Sequence, residues 1–343
     1  GERSTVDPPE WYADARAGWS PSTQRAVAMV CIFICASTLL RTQDSLNTLA
    51  AVALIMLAAA PAQLFQPSFL LSVAAVFWII VGLSRQGARE NTRREHERRR
   101  RSRGAAICHR LEQFARVSLL AIAGTVPLTA SYFNHVSLAA FLSNFIFVPL
   151  IGFIVVPAAL VAGILAFFWL PAAAVMIRLC HTIMSPALEA IGYIADFRWS
   201  ALNVVTPNLL EVACWYALLA LFLAWPAKRN DIGVDASWVR LCRAGLVLVV
   251  TVVALDVAYW CHQRYWRGDL RVTMLDVGQG NAAHLEFPGG YQMLIDGGGF
   301  SGQNTFDVGE RIIAPYLRRK KINRLNCLIL THPDHDHLNG LLY

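Results

Sequence analysis

The residues best suited to chemistry lie together near the end of the chain, in THPDHDHLNG (Thr331–Gly340). Three of the nine histidines and two aspartates fall within its first seven residues. Read as H-x-D-x-D-H, the stretch offers His332, Asp334, Asp336 and His337 as metal ligands, with His335 at a spacer position. Two imidazoles and two carboxylates on one tight loop can serve two adjacent cations. Such a pair clamps the attacking and leaving oxygens of a phosphoryl centre and makes hydroxide near neutral pH. The carboxylates tilt the expected cofactor from Zn²⁺ toward a harder divalent ion such as Mn²⁺. Asp336 is the candidate for the catalytic role.

Elements that could position these groups precede them. DLRVTMLDV predicts a strand, GQGN a turn, AAHLEF a second strand, PGG another turn and YQMLI a third strand before DGGG. DVGERIIAPYLRRKK is helix-like despite Pro315, and RLNCLILT predicts a buried strand that delivers the histidines at its tip. This is an α/β pattern with a site on a loop. Residues 269–343 carry seven Lys/Arg and eight Asp/Glu, the charge density of a soluble domain.

The rest of the chain differs in kind. Only 15% of the 343 residues are charged and 56% are hydrophobic. No charged residue occurs between Asp44 and Arg85, or over the 61 residues between Arg116 and Arg178. A spanning helix takes about 20 apolar residues, so the fold class is a polytopic α-helical membrane protein followed by an α/β domain. About eight spans are expected, at 26–40, 46–60, 67–83, 114–132, 136–153, 154–170, 209–226 and 244–260. The stretch 136–170 reads as two short spans or as one broken helix. Residues 172–200 have the mixed character of an interfacial helix. The domains are then a segment 1–25, a membrane domain 26–260, a linker 261–268 around HQRYWRGD, and the domain 269–343. Cysteines are scattered without a CxxC pair, which argues against a disulfide framework or zinc ribbon. The chain starts at Gly1 without a signal-like start, so it is expected to be an internal piece of a longer protein.

Arg85–Arg110 holds ten arginines and three glutamates. It lies outside the bilayer, because each Arg at mid-membrane costs about 2.5–3.5 kcal/mol. Such a run is either a positive-inside signal or a site for nucleic acid or anionic lipid. Both readings place the loop 84–113 in the cytoplasm. Ala227–Arg243 is also basic, so the last span would carry the terminal domain to the external face. Ser143, Asn144, Pro149, Gly152 and Pro157 would make a helix break. Unwound backbone at that depth must be packed in protein or line a wet cavity, which makes these five the channel candidates.

THPDHDHLNG resembles the first metal motif of the metallo-β-lactamase fold, with Asp in place of its second His. Together with LDVGQGN and LIDGGG it is similar to the C-terminal domain of the ComEC family of competence DNA-uptake channels. TQRAVAMV (Thr23–Val30), LFQPSFLLSVAAVF (Leu64–Phe77), VPLTASYFNHVSLAAFLSNFIFVPLIGFIVVP (Val126–Pro157) and APYLRRKKINRLNCLILTHPD (Ala314–Asp334) resemble that family's membrane region and its junction. The resemblance implies a multi-pass channel in the bacterial inner membrane. Duplex DNA would be delivered externally, a single strand would be transported, and the hydrolase domain would degrade the other strand. It also implies other competence proteins as partners and contact with membrane lipid. Enclosing a polar conduit makes a homodimer an expectation.

Carried over, His332, Asp334, Asp336 and His337 would be ligands, Asp296 would support the metal loop, and Gly278 and Gly280 would shape the first turn. Two ions are expected in the complete domain. Asn281 and Asn326 stand where the family often has Asp, and Asn339 where it often has Gly. The first two departures imply less negative charge near the metal. Later motifs of the fold supply its remaining ligands, so the resemblance implies that residues 269–343 are only the N-terminal portion of this α/β domain. Alone they are expected to bind metal weakly and cleave nothing. The alternatives are a membrane-anchored metallo-hydrolase of another phosphoester, or a non-catalytic domain that grips DNA.

Overall fold

The computed structural model describes residues 45–97, 103–197, 199–225, 236–300 and 306–342. The span expected at 26–40 and the segment 1–25 lie outside the described residues. The chain divides into two compact units, residues 1–128 with 138–200, and residues 129–137 with 201–343.

In the first unit, α1 (Ser45–Ala59) and α2 (Pro67–Glu97) are separated by a 3₁₀ turn, Pro61–Phe65. Pro61 and Pro67 start new helical segments because neither can donate to the preceding turn. The two helices close on Val52, Met56 and Phe69. Helix α3 spans Arg103–Phe133. It comes so near α2 that a Cβ on Gly124 would stand 2.6 Å from the Trp78 ring, the close approach that small residues permit between membrane helices.

The next stretch settles the choice left open for 136–170. It is one helical path: α4 (Ala140–Leu150), a π turn (Ile151–Val155) and α5 (Val156–Ala166). The chain does not unwind at Ser143, Asn144, Pro149, Gly152 and Pro157. Pro149 and Pro157 lack N–H donors, and the π turn between them accommodates the missing bonds without opening the helix. Helix α6 (Leu170–Asp196) follows α5 as a hairpin, with the Cys180 thiol donating to the Val155 carbonyl. The segment expected to be interfacial is thus a 27-residue helix with the length and composition of a span.

Among the described residues, five helices are long and apolar enough to cross a membrane: Pro67–Ser84, Cys108–Phe133, Ala140–Ala166, Leu170–Asp196 and Ala236–Trp266. Ser45–Ala59 and Leu209–Ala224 are shorter apolar helices. Phe153, Leu160 and Ile164 are 77, 65 and 62% exposed on α4–α5, an apolar surface that suits lipid and not water.

The second unit holds the end of α3, strands β1 (His135–Ser137) and β2 (Ala201–Asn203), helices α7 (Leu209–Ala224) and α8 (Ala236–Cys261), and the C-terminal domain. β1 and β2 pair antiparallel, His135 opposite Asn203. Asn208 and Glu211 form a capping box that starts α7. The Asn208 amide also donates to Asp256 at 3.0 Å, and Trp238 Nε1 donates to the Ala224 carbonyl, so both ends of the α7–α8 hairpin are tied. Helix α8 continues through a π turn, His262–Trp266, so most of the expected linker extends the helix.

The domain beyond is a four-stranded sheet in sequence order: β3 (Arg271–Met274), β4 (Ala283–Glu286), β5 (Gln292–Ile295) and β6 (Cys327–Ile329). The first three are antiparallel, and β6 joins β5 in parallel after a crossover through a π turn (Gly309–Ile313) and α9 (Ala314–Arg319). Val277, Ala282, Leu294, Val308 and Ile313 form the core between sheet and crossover. A side chain of this kind gains roughly 1.5–3 kcal/mol on burial. That core holds the tips of β5 and β6 side by side, where the metal motif begins.

Candidate metal centre

Parallel pairing sets Ile295 opposite Ile329, so Asp296 and the motif leave the sheet together. The Asp296 N–H donates to the Ile329 carbonyl at 2.8 Å. Its φ is +57°, a left-handed conformation that Asp tolerates better than most residues. This turns the carboxylate under the motif. Oδ1 accepts the Thr331 N–H at 2.8 Å, and Oδ2 accepts the Thr331 hydroxyl at 2.7 Å and His337 Nδ1 at 2.8 Å. Burial pushes the Asp296 pKa up. The Thr331 N–H, the His337 ring and the Thr331 hydroxyl outweigh it and hold the group below its usual value.

A carboxylate can only accept, so His337 presents its Nδ1–H to Asp296 and leaves the Nε2 lone pair free. The His337 side chain is 9% exposed and its Nε2 is 3.6 Å from Asp336 Oδ2. The His332 ring lies beside it, tilted by 47°, with centroids 3.8 Å apart. One ligand atom each from His332, Asp336 and His337 falls within 4.8 Å of the others. Three ligands each about 2.2 Å from one tetrahedral cation stand about 3.6 Å from one another. The two imidazoles and the carboxylate therefore fit one divalent ion after a closure of up to about 1 Å.

Asp334 stands apart from that group. It is the N-cap position of the one-turn α10 (His335–Leu338), and its carboxylate lies 3.5 Å from His332 Nε2. His335 also points elsewhere, with Nδ1 3.4 Å from Asn339 Oδ1.

Two glycine loops clasp the motif. In GQGN, Gly280 has φ +80° and a Cβ there would sit 1.7 Å from the Asp336 carbonyl oxygen, so only glycine fits. Gly278 also has φ +80°, in the same turn. In DGGG, the Gly297 N–H donates to the His337 carbonyl and Gly298 accepts from the Gly340 N–H. The asparagine departures have local roles. Asn326 precedes β6, at the opposite end of that strand from Thr331, and its Oδ1 accepts the Gln292 N–H at 2.8 Å. An Asp at that position would therefore add no charge to the motif's loop, contrary to the sequence expectation. Asn339 donates to the Phe300 carbonyl, and the Asn281 carbonyl accepts from Gly298.

Thr331 is the residue that sequence reasoning passed over. Its hydroxyl touches Asp296 Oδ2, His332 Nδ1 at 3.0 Å and His337 Nδ1 at 3.3 Å. Its place directly before the first histidine was the available signal.

Residues 275–343 match the metallo-beta-lactamase superfamily, and residues 14–229 match the competence protein family. ComE operon protein 3 of Bacillus subtilis (strain 168) is 28% identical over 335 residues, covering 94% of this chain and 39% of its own length. Recombination protein 2 of Haemophilus influenzae is 27% identical over 241 residues, covering 62% of this chain and 28% of its own. The chain thus spans well under half the length of these curated relatives. No solved structure matches it. With a multi-pass helical region matched over most of its length and a metallo-beta-lactamase sheet after it, the chain belongs to the competence protein family.

Proposed function

We propose that this chain forms the membrane part of a DNA-uptake channel in the bacterial inner membrane, joined to a metal-dependent hydrolase-like domain. One strand of externally delivered duplex passes through, and the domain acts on the other. The observation that carries this reading is the junction itself. Competence-family helices run in one chain into a sheet where His332, Asp336 and His337 converge. These three hold the divalent cation in this reading, with Asp334 beside His332 and Asp296 and Thr331 orienting His337. Asp336 is the catalytic candidate. Bound there, the ion lowers the pKa of a water and polarises a phosphoryl oxygen. Other competence proteins deliver the DNA, and a second copy of the chain encloses the conduit.

Charge supports the sidedness. The arginine-rich loop 84–113 is cytoplasmic by the positive-inside rule, and the terminal domain is external. Within the second unit, β1 pairs with β2 and Thr206 donates its N–H to the Arg318 carbonyl, so β1, β2 and the end of α9 stay together. Cys108 is exposed at the basic end. An impermeant maleimide should label it only after the inner face is opened, and labelling from outside would reverse the orientation.

Transformation frequency in the native host tests the function. Deletion of the full gene should abolish transformation. Unchanged frequency would replace the channel with a membrane-anchored hydrolase. An Asp336→Ala/His337→Ala strain should lose uptake as well, and retention would leave the domain a scaffold.

A further inference from the structure

A cleft of about 690 Å³ lies at the C-terminal end of α8, separate from the metal motif, in the size range of small-molecule sites. Its walls are Asp256–Cys261 of α8, the following π turn, β4 and β5, and the end of α9 with Lys320 and Lys321.

Charge in the cleft is unbalanced. Five cations line it (Arg264, Arg271, Arg319, Lys320 and Lys321) against three acids (Glu211, Asp256 and Glu286). The acids are taken: Glu286 by Lys320 at 3.0 Å, Glu211 by Lys321 and Asp256 by the Asn208 amide. Arg264 donates to the Lys321 carbonyl. Arg319 is exposed and Arg271 is held only by the half-exposed Asp269 at 3.5 Å, so two guanidinium groups supply the excess. In the same wall the buried indole N–H of Trp260 has no acceptor among the described residues. An anion with oxygen acceptors answers both features.

The apolar side of the ligand can be read from α8. Ala236–Trp266 has the composition of a span, and the cleft sits at its end. Tyr259, Tyr265 and Trp266 are exposed there, an aromatic set of the kind found at the headgroup level. Val250, Val253 and Val257 are exposed at helical spacing, and Val257 is itself part of the cleft wall. A polar anion pocket thus opens onto an apolar stripe at membrane depth. We propose that this cleft holds the phosphate headgroup of an anionic phospholipid, with an acyl chain along Val250, Val253 and Val257. A soluble phosphate would not need the stripe, and a nucleic acid strand would not follow it into the bilayer.

The test uses the full-length protein in detergent, delipidated and then offered phosphatidylglycerol or phosphatidylcholine with the same acyl chains. Native mass spectrometry counts the bound lipid. The wild type should retain phosphatidylglycerol preferentially. Arg271→Gln/Arg319→Gln should weaken that retention about thirty-fold, since each basic residue near an anionic headgroup contributes about a five-fold preference. Trp260→Phe, which keeps the ring and removes the donor, should weaken it less. Equal retention of both lipids by the wild type overturns the proposal without reference to any variant. So does displacement of the lipid by millimolar inorganic phosphate, which makes the site one for soluble phosphate. Displacement by a single-stranded oligonucleotide makes it a nucleic-acid site and overturns it too.

Discussion

Asp296→Asn isolates the carboxylate beneath the proposed metal site. Asn tolerates the left-handed φ of +57° as well as Asp does, so the backbone is kept and only the charge and one acceptor are lost. The amide oxygen keeps the place of Oδ1, because the Thr331 N–H at 2.8 Å can only donate. The NH₂ group then falls where Oδ2 now accepts His337 Nδ1 at 2.8 Å. It donates to that nitrogen and drives the proton to Nε2, removing the lone pair a cation needs. One charge-assisted hydrogen bond of about 1.5–3 kcal/mol is lost from the support of His337. That range overlaps the 10–100-fold loss of metal affinity typical when such a supporting group is changed. Titration of the full-length protein with Mn²⁺ and Zn²⁺ by calorimetry should show a decrease near the upper end of that range. The melting temperature should move by only a few degrees. An affinity within two-fold of wild type would refute the argument that Asp296 sets the His337 tautomer.

Other substitutions probe the surroundings. Gly280→Ala should destabilise the domain by about 2 kcal/mol or more, because a Cβ would overlap the Asp336 carbonyl at φ +80°. A normal denaturation midpoint would mean that the loop simply moves. Lys321 is 12% exposed and pairs with the 32% exposed Glu211 while donating to the Thr206 carbonyl. A Lys321→Met/Glu211→Gln double-mutant cycle should give a coupling of about 1–2 kcal/mol, and additivity would show that the pair contributes nothing. His284 is fully buried beside Tyr316, and burial is the main cause of its lowered pKa, with Glu286 and Gln292 opposing it and Lys320 adding to it. Its unfolded state binds the proton first. Stability should therefore be level above about pH 6.5 and fall as pH drops toward the folded pKa, by up to about 1.4 kcal/mol per pH unit. His284→Leu should show a smaller loss of melting temperature between pH 7.5 and 5 than wild type, and an equal loss would clear His284 of that role.

Much of this was legible without coordinates. The charge-free runs after Asp44 and Arg116 cannot be a soluble core, so a polytopic region followed from composition alone. The strands ahead of the motif show in short apolar runs bounded by PGG and DGGG, because turn chemistry is local. The spacing of His332, Asp334, Asp336 and His337 is local too, which is why a metal motif could be read from seven residues. The helix count was harder: Pro149 and Pro157 look like breaks, yet a single π turn keeps α4 and α5 continuous. Residues 172–200 carry enough polar groups to look interfacial, while their length gives a span.

Composition and short-range spacing by themselves determined that this is a membrane protein with a metal-motif domain behind its last helix. Only tertiary structure decided which groups support the motif and which ligand stands apart. Asp296 and His337 meet across 41 residues, and Lys321 and Glu211 across 110. The parallel pairing of β5 with β6 makes the first contact and the end of α9 makes the second. Neither partner can be read from its neighbours, because a long-range contact depends on where the chain returns and local spacing records only what lies within a turn or two.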